Sequence, residues 1–128
     1  MAGARRPILV ADDEPEIRSL LEEYLTGLGH EVVTAGNGLE ALWSVKHRAP
    51  AVVLLDLEMP RLGGLDAIKH IRKFDASIRI VVVTGHLSHD AAVKLRELGV
   101  PIVPKPLDLD VVGRVVSPPP APASTADE

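Results

Sequence analysis

Acidic, hydroxyl and amine side chains stand at the ends of apolar runs along this chain. ILVADDEPE, Ile8 to Glu16, passes from apolar residues straight into Asp12, Asp13 and Glu14. AVVLLD ends on Asp56, IRIVVVTG carries Thr84 just before its close, and PIVP is followed by Lys105. Like charges about 4 Å apart repel by roughly 4 kcal/mol at an effective dielectric of 20. Brought together, Asp12, Asp13 and Asp56 with Lys105 leave a site near −2. A hard divalent cation offsets that charge, and Mg²⁺ characteristically takes one or two carboxylates together with waters and phosphate oxygens. Each residue also has a plainer reading. Asp13 could cap the helix that Pro15 opens, Asp56 could end a turn, Thr84-Gly85 could close a strand, and Lys105 could be a surface charge. The weight lies in four separate strand ends supplying acid, acid, hydroxyl and amine.

The elements that would bring them together alternate between strand and helix patterns. Apolar strands are expected at Pro7 to Ala11, Glu31 to Ala35, Ala51 to Asp56, Ile78 to Gly85 and Pro101 to Pro106. Between and after them, apolar residues recur at helical spacing. The sets are Ile17, Leu20, Leu21, Tyr24 and Leu28; Leu39, Leu42, Trp43 and Lys46; Leu65, Ile68, Ile71 and Arg72; Ala91, Ala92, Leu95 and Leu98; and Val111, Val112, Val115 and Val116. Gly29 and Gly99 are suited to follow helix ends. Five βα units in series predict an α/β fold, a doubly wound parallel five-stranded sheet of flavodoxin-like order 2-1-3-4-5. Pro101 and Pro104 place the fifth strand at an edge, because proline donates no ladder hydrogen bond. In such sheets ligands bind beyond the carboxyl ends of the strands, which is where the acids, Thr84 and Lys105 fall.

Composition narrows the function. The 128 residues suffice for one domain with a sizeable core. Tyr24, Trp43 and Phe74 are the only aromatic residues besides histidine, so single-stranded nucleic acid lacks a stacking platform. A net charge of −4 provides no footprint for nucleic acid or an anionic membrane. With no cysteine there is no thiolate metal site and no disulfide. The lack of a signal-like or membrane-spanning apolar run leads to an expected cytoplasmic location. SPPPAPASTADE, residues 117–128, is Pro-, Ala- and Ser-rich and is expected to be a disordered tail, leaving 1–116 as the folded domain. His30, His47, His70 and His89 are expected on solvated surfaces, with no zinc-like spacing.

From about Pro7 to Val116 the chain resembles the receiver domains of two-component response regulators. Asp12-Asp13, LLDLEMPRLGGLDAI with Asp56, VVVTGH with Thr84, Lys105-Pro106 and AGNGLEAL carry the resemblance. It implies that Asp56 takes a phosphoryl group from a phosphohistidine of a sensor histidine kinase or phosphotransfer protein, giving an acyl phosphate. It implies Mg²⁺ held by Asp13, Asp56 and the backbone carbonyl of Glu58, with Asp12 acting mostly through a coordinated water. Thr84 would donate its hydroxyl to the phosphoryl group, Gly85 would leave space beside it, and Lys105, aimed by a cis bond to Pro106, would neutralise phosphoryl oxygens. The domain would thus be no conventional enzyme, but a self-phosphorylating switch acting on an unidentified downstream protein. Kinase docking would involve Ile17 and Leu20 with Pro106 and Leu107.

The chain departs from the family pattern at Ile102, where an aromatic residue is frequent, at Pro104, and in its short last helix with Gly113. Three other readings compete. A phosphorylation-independent interaction module should lack the acceptor, the acid pair or the lysine. An Mg²⁺-dependent phosphatase with an Asp nucleophile could use Glu58 as its acid, but normally needs a longer chain to enclose a substrate. A flavin-binding protein would need a phosphate cradle after the first strand, where this chain has acids.

Overall fold

A computed structural model describes residues 6–117, so most of the proposed tail, residues 118–128, lies outside the described residues. The elements are β1 (Ile8–Ala11), α1 (Pro15–Gly27), β2 (Val32–Ala35), α2 (Gly38–Arg48), β3 (Val52–Leu55), α3 (Gly64–Phe74), β4 (Arg79–Thr84), α4 (His89–Leu98), β5 (Ile102–Pro104) and α5 (Leu109–Val116). The strands pair in parallel in the order β2-β1-β3-β4-β5. This is the expected flavodoxin-like sheet, with β5 at its edge.

Strand alternation distributes the apolar side chains between two cores. Leu9, Ala11, Val53, Leu55, Ile80 and Val82 face one side, against Ala41 and Val45 of α2, Ile68 and Ile71 of α3, and Leu95 of α4. Ile8, Val10, Leu54, Val81 and Val83 face the other, against Leu21 and Leu25 of α1 and Val112 and Val116 of α5. Both faces are covered, so the three central strands read as unbroken apolar runs. Burying one such leucine or isoleucine contributes roughly 1.5–3 kcal/mol.

The helical faces differ in detail from the expected ones. α1 buries Leu21 and Leu25, whereas Leu20 and Leu28 are exposed. α2 buries Ala41, Ser44 and Val45 and turns Leu39 and Trp43 to solvent. On both helices the large residues led the reading, but small or later residues fit against the sheet. The N-cap of α1 is Glu14, not Asp13, and no side chain caps it; Pro15, without an N–H, opens the helix. α2 is started by Asn37, whose side chain accepts the Glu40 N–H, while Glu40 accepts the Gly36 N–H. α5 approaches α1 at Gly113, where a Cβ would lie 2.8 Å from the Tyr24 hydroxyl.

Candidate functional site

β1, β3, β4 and β5 end on the same edge of the sheet, and the ladder holds those ends in step. The Asp12 N–H donates to Ala35 O (3.0 Å), the Asp56 N–H to Ala11 O (2.9 Å), and the Lys105 N–H to Thr84 O (3.0 Å). Asp12, Asp56 and Thr84 are almost fully buried, which is costly for polar groups unless they are paired. Each is paired.

Asp12 Oδ1 accepts the Glu14 N–H (2.9 Å), closing the turn into α1, and Arg18 donates to Asp12 O (2.7 Å). Asp56 Oδ1 accepts the Glu58 N–H (3.1 Å). The remaining oxygens converge on Lys105: its Nζ lies 2.9 Å from Asp12 Oδ2, 2.9 Å from Glu14 Oε2 and 3.3 Å from Asp56 Oδ2. The Lys105–Pro106 peptide is cis. A Cβ on Gly85 would only reach ordinary contact with the Lys105 side chain.

Asp12, Asp13, Glu14 and Asp56 place carboxylate oxygens within 4.8 Å of one another, with Asp13 and Glu14 exposed. Four carboxylates against one ammonium form an all-oxygen, strongly negative cup, the donor chemistry that a hard cation such as Mg²⁺ takes. Glu14 is a member to which the sequence reading assigned no role. Its signal was the unbroken acidic triplet; what could not be foreseen is that the start of α1 turns it back onto Lys105.

Burial alone would lower the Lys105 pKa, but the hydrogen bonds it donates to Asp12 and Glu14 and the charges of Asp12 and Asp56 outweigh it, raising the pKa above 10.5. Asp12 is shifted upward, chiefly by burial and also by the Asp56 charge, against the opposing pull of the Glu14 N–H and Lys105. A raised lysine pKa stabilises the fold fully below the unfolded value near 10.5, and that contribution is lost as pH rises beyond it. Wild type should therefore melt above Lys105→Met at neutral pH, and the gap between the two midpoints should narrow in strong alkali. A gap independent of pH would contradict the ammonium's role.

Thr84 Oγ1 donates to His86 O (3.0 Å) and accepts the His86 N–H (3.4 Å), so the hydroxyl is turned into its own loop. Ile102 pairs in register with Val82 and packs, partly buried, on the core. Beside the acidic cup a cleft of about 350 Å³ opens between the loops after β3 and β4, with Glu58, Asp66, His86 and Ser88 in its walls.

The family model for the response regulator receiver domain matches residues 8–116. The chain belongs to the response regulator receiver domain family. Among curated relatives, this receiver domain is 35% identical to sporulation initiation phosphotransferase F of Bacillus subtilis (strain 168), over 82% of this chain and 86% of that protein. It is 36% identical to the transcriptional regulatory protein ZraR of Klebsiella oxytoca, over 86% of this chain but only 25% of that one. The chain thus spans about a quarter of ZraR's length. A response regulator receiver protein from Pseudomonas putida superposes with a TM-score of 0.83 at 33% identity, covering 90% of this chain and 98% of that one. Response regulator protein TrrA of Thermotoga maritima, solved in complex with Mg²⁺–BeF, superposes at 0.77 and 36% identity, covering 87% and 96%. Receiver domains are not conventional enzymes. No described helix is long and apolar enough to cross a membrane.

Proposed function

We propose that this receiver accepts a phosphoryl group on Asp56 from a phosphohistidine of a kinase or phosphotransfer protein, with Mg²⁺, and that phosphorylation switches the binding of a downstream protein. The observation that carries this reading is Lys105 bridging Asp12 and Asp56 across strand ends, within a cup of four carboxylates. An Asp56 carboxylate oxygen attacks phosphorus as the P–N bond breaks; the imidazole leaves with the electron pair and takes up a proton. Lys105, 3.3 Å from Asp56 Oδ2, would pair with phosphoryl oxygens with little reorganisation of its charge. Thr84 must leave His86 O to donate to the new group. Asp12, Asp13, Asp56 and the Glu58 carbonyl would hold Mg²⁺, with Glu14 adding charge at the rim. When bound, the ion supplies positive charge that neutralises acid repulsion and phosphoryl oxygens.

The test is direct. Incubation with Mg²⁺ and a small phosphodonor such as acetyl phosphate should add a single phosphoryl group by intact mass, and EDTA should prevent it. An unmodified mass in Mg²⁺ at full folding would overturn the reading. The same proposal places the chain in the cytoplasm and assigns no nucleic-acid contact to the folded domain. Longer relatives such as ZraR are regulators of transcription by name.

The exposure of α1 favours Leu20 over Ile17 as the residue that would meet the kinase. Ile17 packs partly on the core, whereas Leu20 is 41% exposed on α1. Leu20→Glu should slow transfer from the kinase severalfold and leave acetyl phosphate labelling unchanged. Equal loss of both, or of neither, would reject α1 as the docking face.

The acyl phosphate's lifetime should depend on Glu58 and His86, which face the cleft beside the acceptor. An acid and an imidazole there can orient an attacking water. Replacing each by alanine should alter the dephosphorylation rate severalfold while labelling persists; unchanged decay in both variants would refute the idea.

A further inference from the structure

The described surface has a second polar feature, along α2 and α3. A groove of about 250 Å³ runs between α2 and α3, with Leu42, Val45 and Ile71 as its floor and Lys46, Lys73 and Phe74 at its sides. A neighbouring hollow of about 500 Å³ on α3, sharing His70 and Lys73 with the groove, is lined also by Asp66, Ile68, Lys69, Arg72 and Leu98. Lys46, Lys69, Arg72 and Lys73 form no ion pair with a carboxylate among the described residues. Arg72 Nε is buried without a hydrogen-bond partner, a costly condition for a charged group.

Apolar exposure coincides with this charge. Trp43 is 60% exposed, Phe74 51% and Leu39 49%. Leu39 and Trp43 are one turn apart on α2, and Trp43 is one turn before Lys46. The Trp43 ring lies 4.3 Å from the His47 ring, tilted by 32°. The helix dipole accounts for cations in the last turns of α2 and α3. It accounts neither for the outward tryptophan and phenylalanine nor for the unpartnered guanidinium nitrogen.

We infer that the α2–α3 face docks an acidic amphipathic helix of a partner protein, whose apolar residues enter the groove and whose carboxylates meet Lys46 and Lys73. Charge complementarity selects the occupant: this is a cationic face on a chain of net charge −4. A polyanion such as DNA offers no apolar groups for Leu42, Trp43 and Phe74 and is repelled by the rest of the molecule. A membrane surface does not enter concave grooves, whereas an amphipathic helix does, through anchors at i, i+3, i+4 and i+7. The face is separate from the acceptor cup, so docking needs no phosphorylation.

The probe is a fluorescein-labelled synthetic helical peptide of 18 residues with leucine and phenylalanine on one face and glutamate on both flanks, titrated into the full chain. Saturable binding at low salt, weakening with salt, is expected, with a change in emission of Trp43, the single tryptophan. Lys46→Glu combined with Lys73→Glu should weaken binding at least tenfold, as should Trp43→Ala, each folded by circular dichroism. Lys94→Glu and Asp56→Ala should bind as wild type, which separates this inference from the phosphoacceptor reading. Undiminished binding in the Lys46/Lys73 variant overturns the proposal. Equal binding of a peptide of glutamates without apolar residues, tighter binding to vesicles of anionic lipid, or peptide-free self-association through this face would each overturn it as well.

Discussion

Replacing Asp56 by alanine should abolish the phosphoryl adduct altogether, at unchanged folding. The other acids of the cup are poor substitutes for reasons visible in the geometry. Asp12 is as buried as Asp56, but one oxygen is held by the Glu14 N–H and the other by Lys105 at 2.9 Å. Asp13 and Glu14 are exposed, and Glu14 is tied to Lys105 as well. Of the two buried acids, Asp56 has the longer contact to Lys105, 3.3 Å against 2.9 Å for Asp12, and so has less to give up. A carboxylate removed from a crowded acidic cup also lowers repulsion, so Asp56→Ala should melt no lower than wild type in the absence of Mg²⁺. Intact mass after incubation with acetyl phosphate and Mg²⁺ reads the first effect and thermal unfolding the second. A persisting adduct at wild-type yield would move the acceptor elsewhere.

Two glycines should prove nearly as sensitive, because they clamp the loop after β3 from opposite sides. A Cβ on Gly64 would lie 2.6 Å from Leu57 Cα and 2.9 Å from the carbonyl oxygen of Asp56 itself. A Cβ on Gly38 would collide with the Leu62 carbonyl and lie 2.6 Å from Leu62 Cβ. These neighbours are mostly backbone, so relief requires moving the loop and not merely rotating a side chain. Overpacking of this kind costs typically about 1–3 kcal/mol, a large part of a stability of roughly 5–15 kcal/mol. Gly64→Ala should therefore lower the melting midpoint by several degrees and also slow acetyl phosphate labelling, since it presses on the acceptor residue. Gly38→Ala should destabilise comparably and slow labelling less. Gly27→Ala, with nothing near its Cβ, should not destabilise. Wild-type stability and labelling in Gly64→Ala would show that the loop yields freely.

The strands and their order were legible because both faces of the sheet are buried, so β1, β3 and β4 are continuous apolar runs that a helix could not share. The prolines flanking β5 assigned the edge. Asp12, Asp56, Thr84 and Lys105 were legible as a set because parallel strands deliver their ends to one place. The helical faces were less legible. Leu39 and Trp43 outweigh Ala41 and Val45 in any apolar pattern, yet the close approach of α2 to the sheet admits only the smaller side chains. Glu14 was hidden for a different reason. Its partner Lys105 is 91 residues away, and only the chain's entry into α1 decides that the third acid of the triplet reaches it.

The position of β5 divides the site by resistance to local opening. Asp12 and Asp56 follow β1 and β3, each hydrogen-bonded to a strand on either side. Lys105 follows β5, a three-residue strand with one neighbour and an eight-residue helix behind it. Amide hydrogen exchange should grade accordingly, slowest in the middle of the sheet and faster along its edge. A partial opening that lifts β5 and α5 would withdraw the amine while the acids stay in place. The charge that holds the cup together is thus carried by the segment that can leave it most cheaply, and a ligand that bridges Lys105 to the acids would slow exchange along the whole edge.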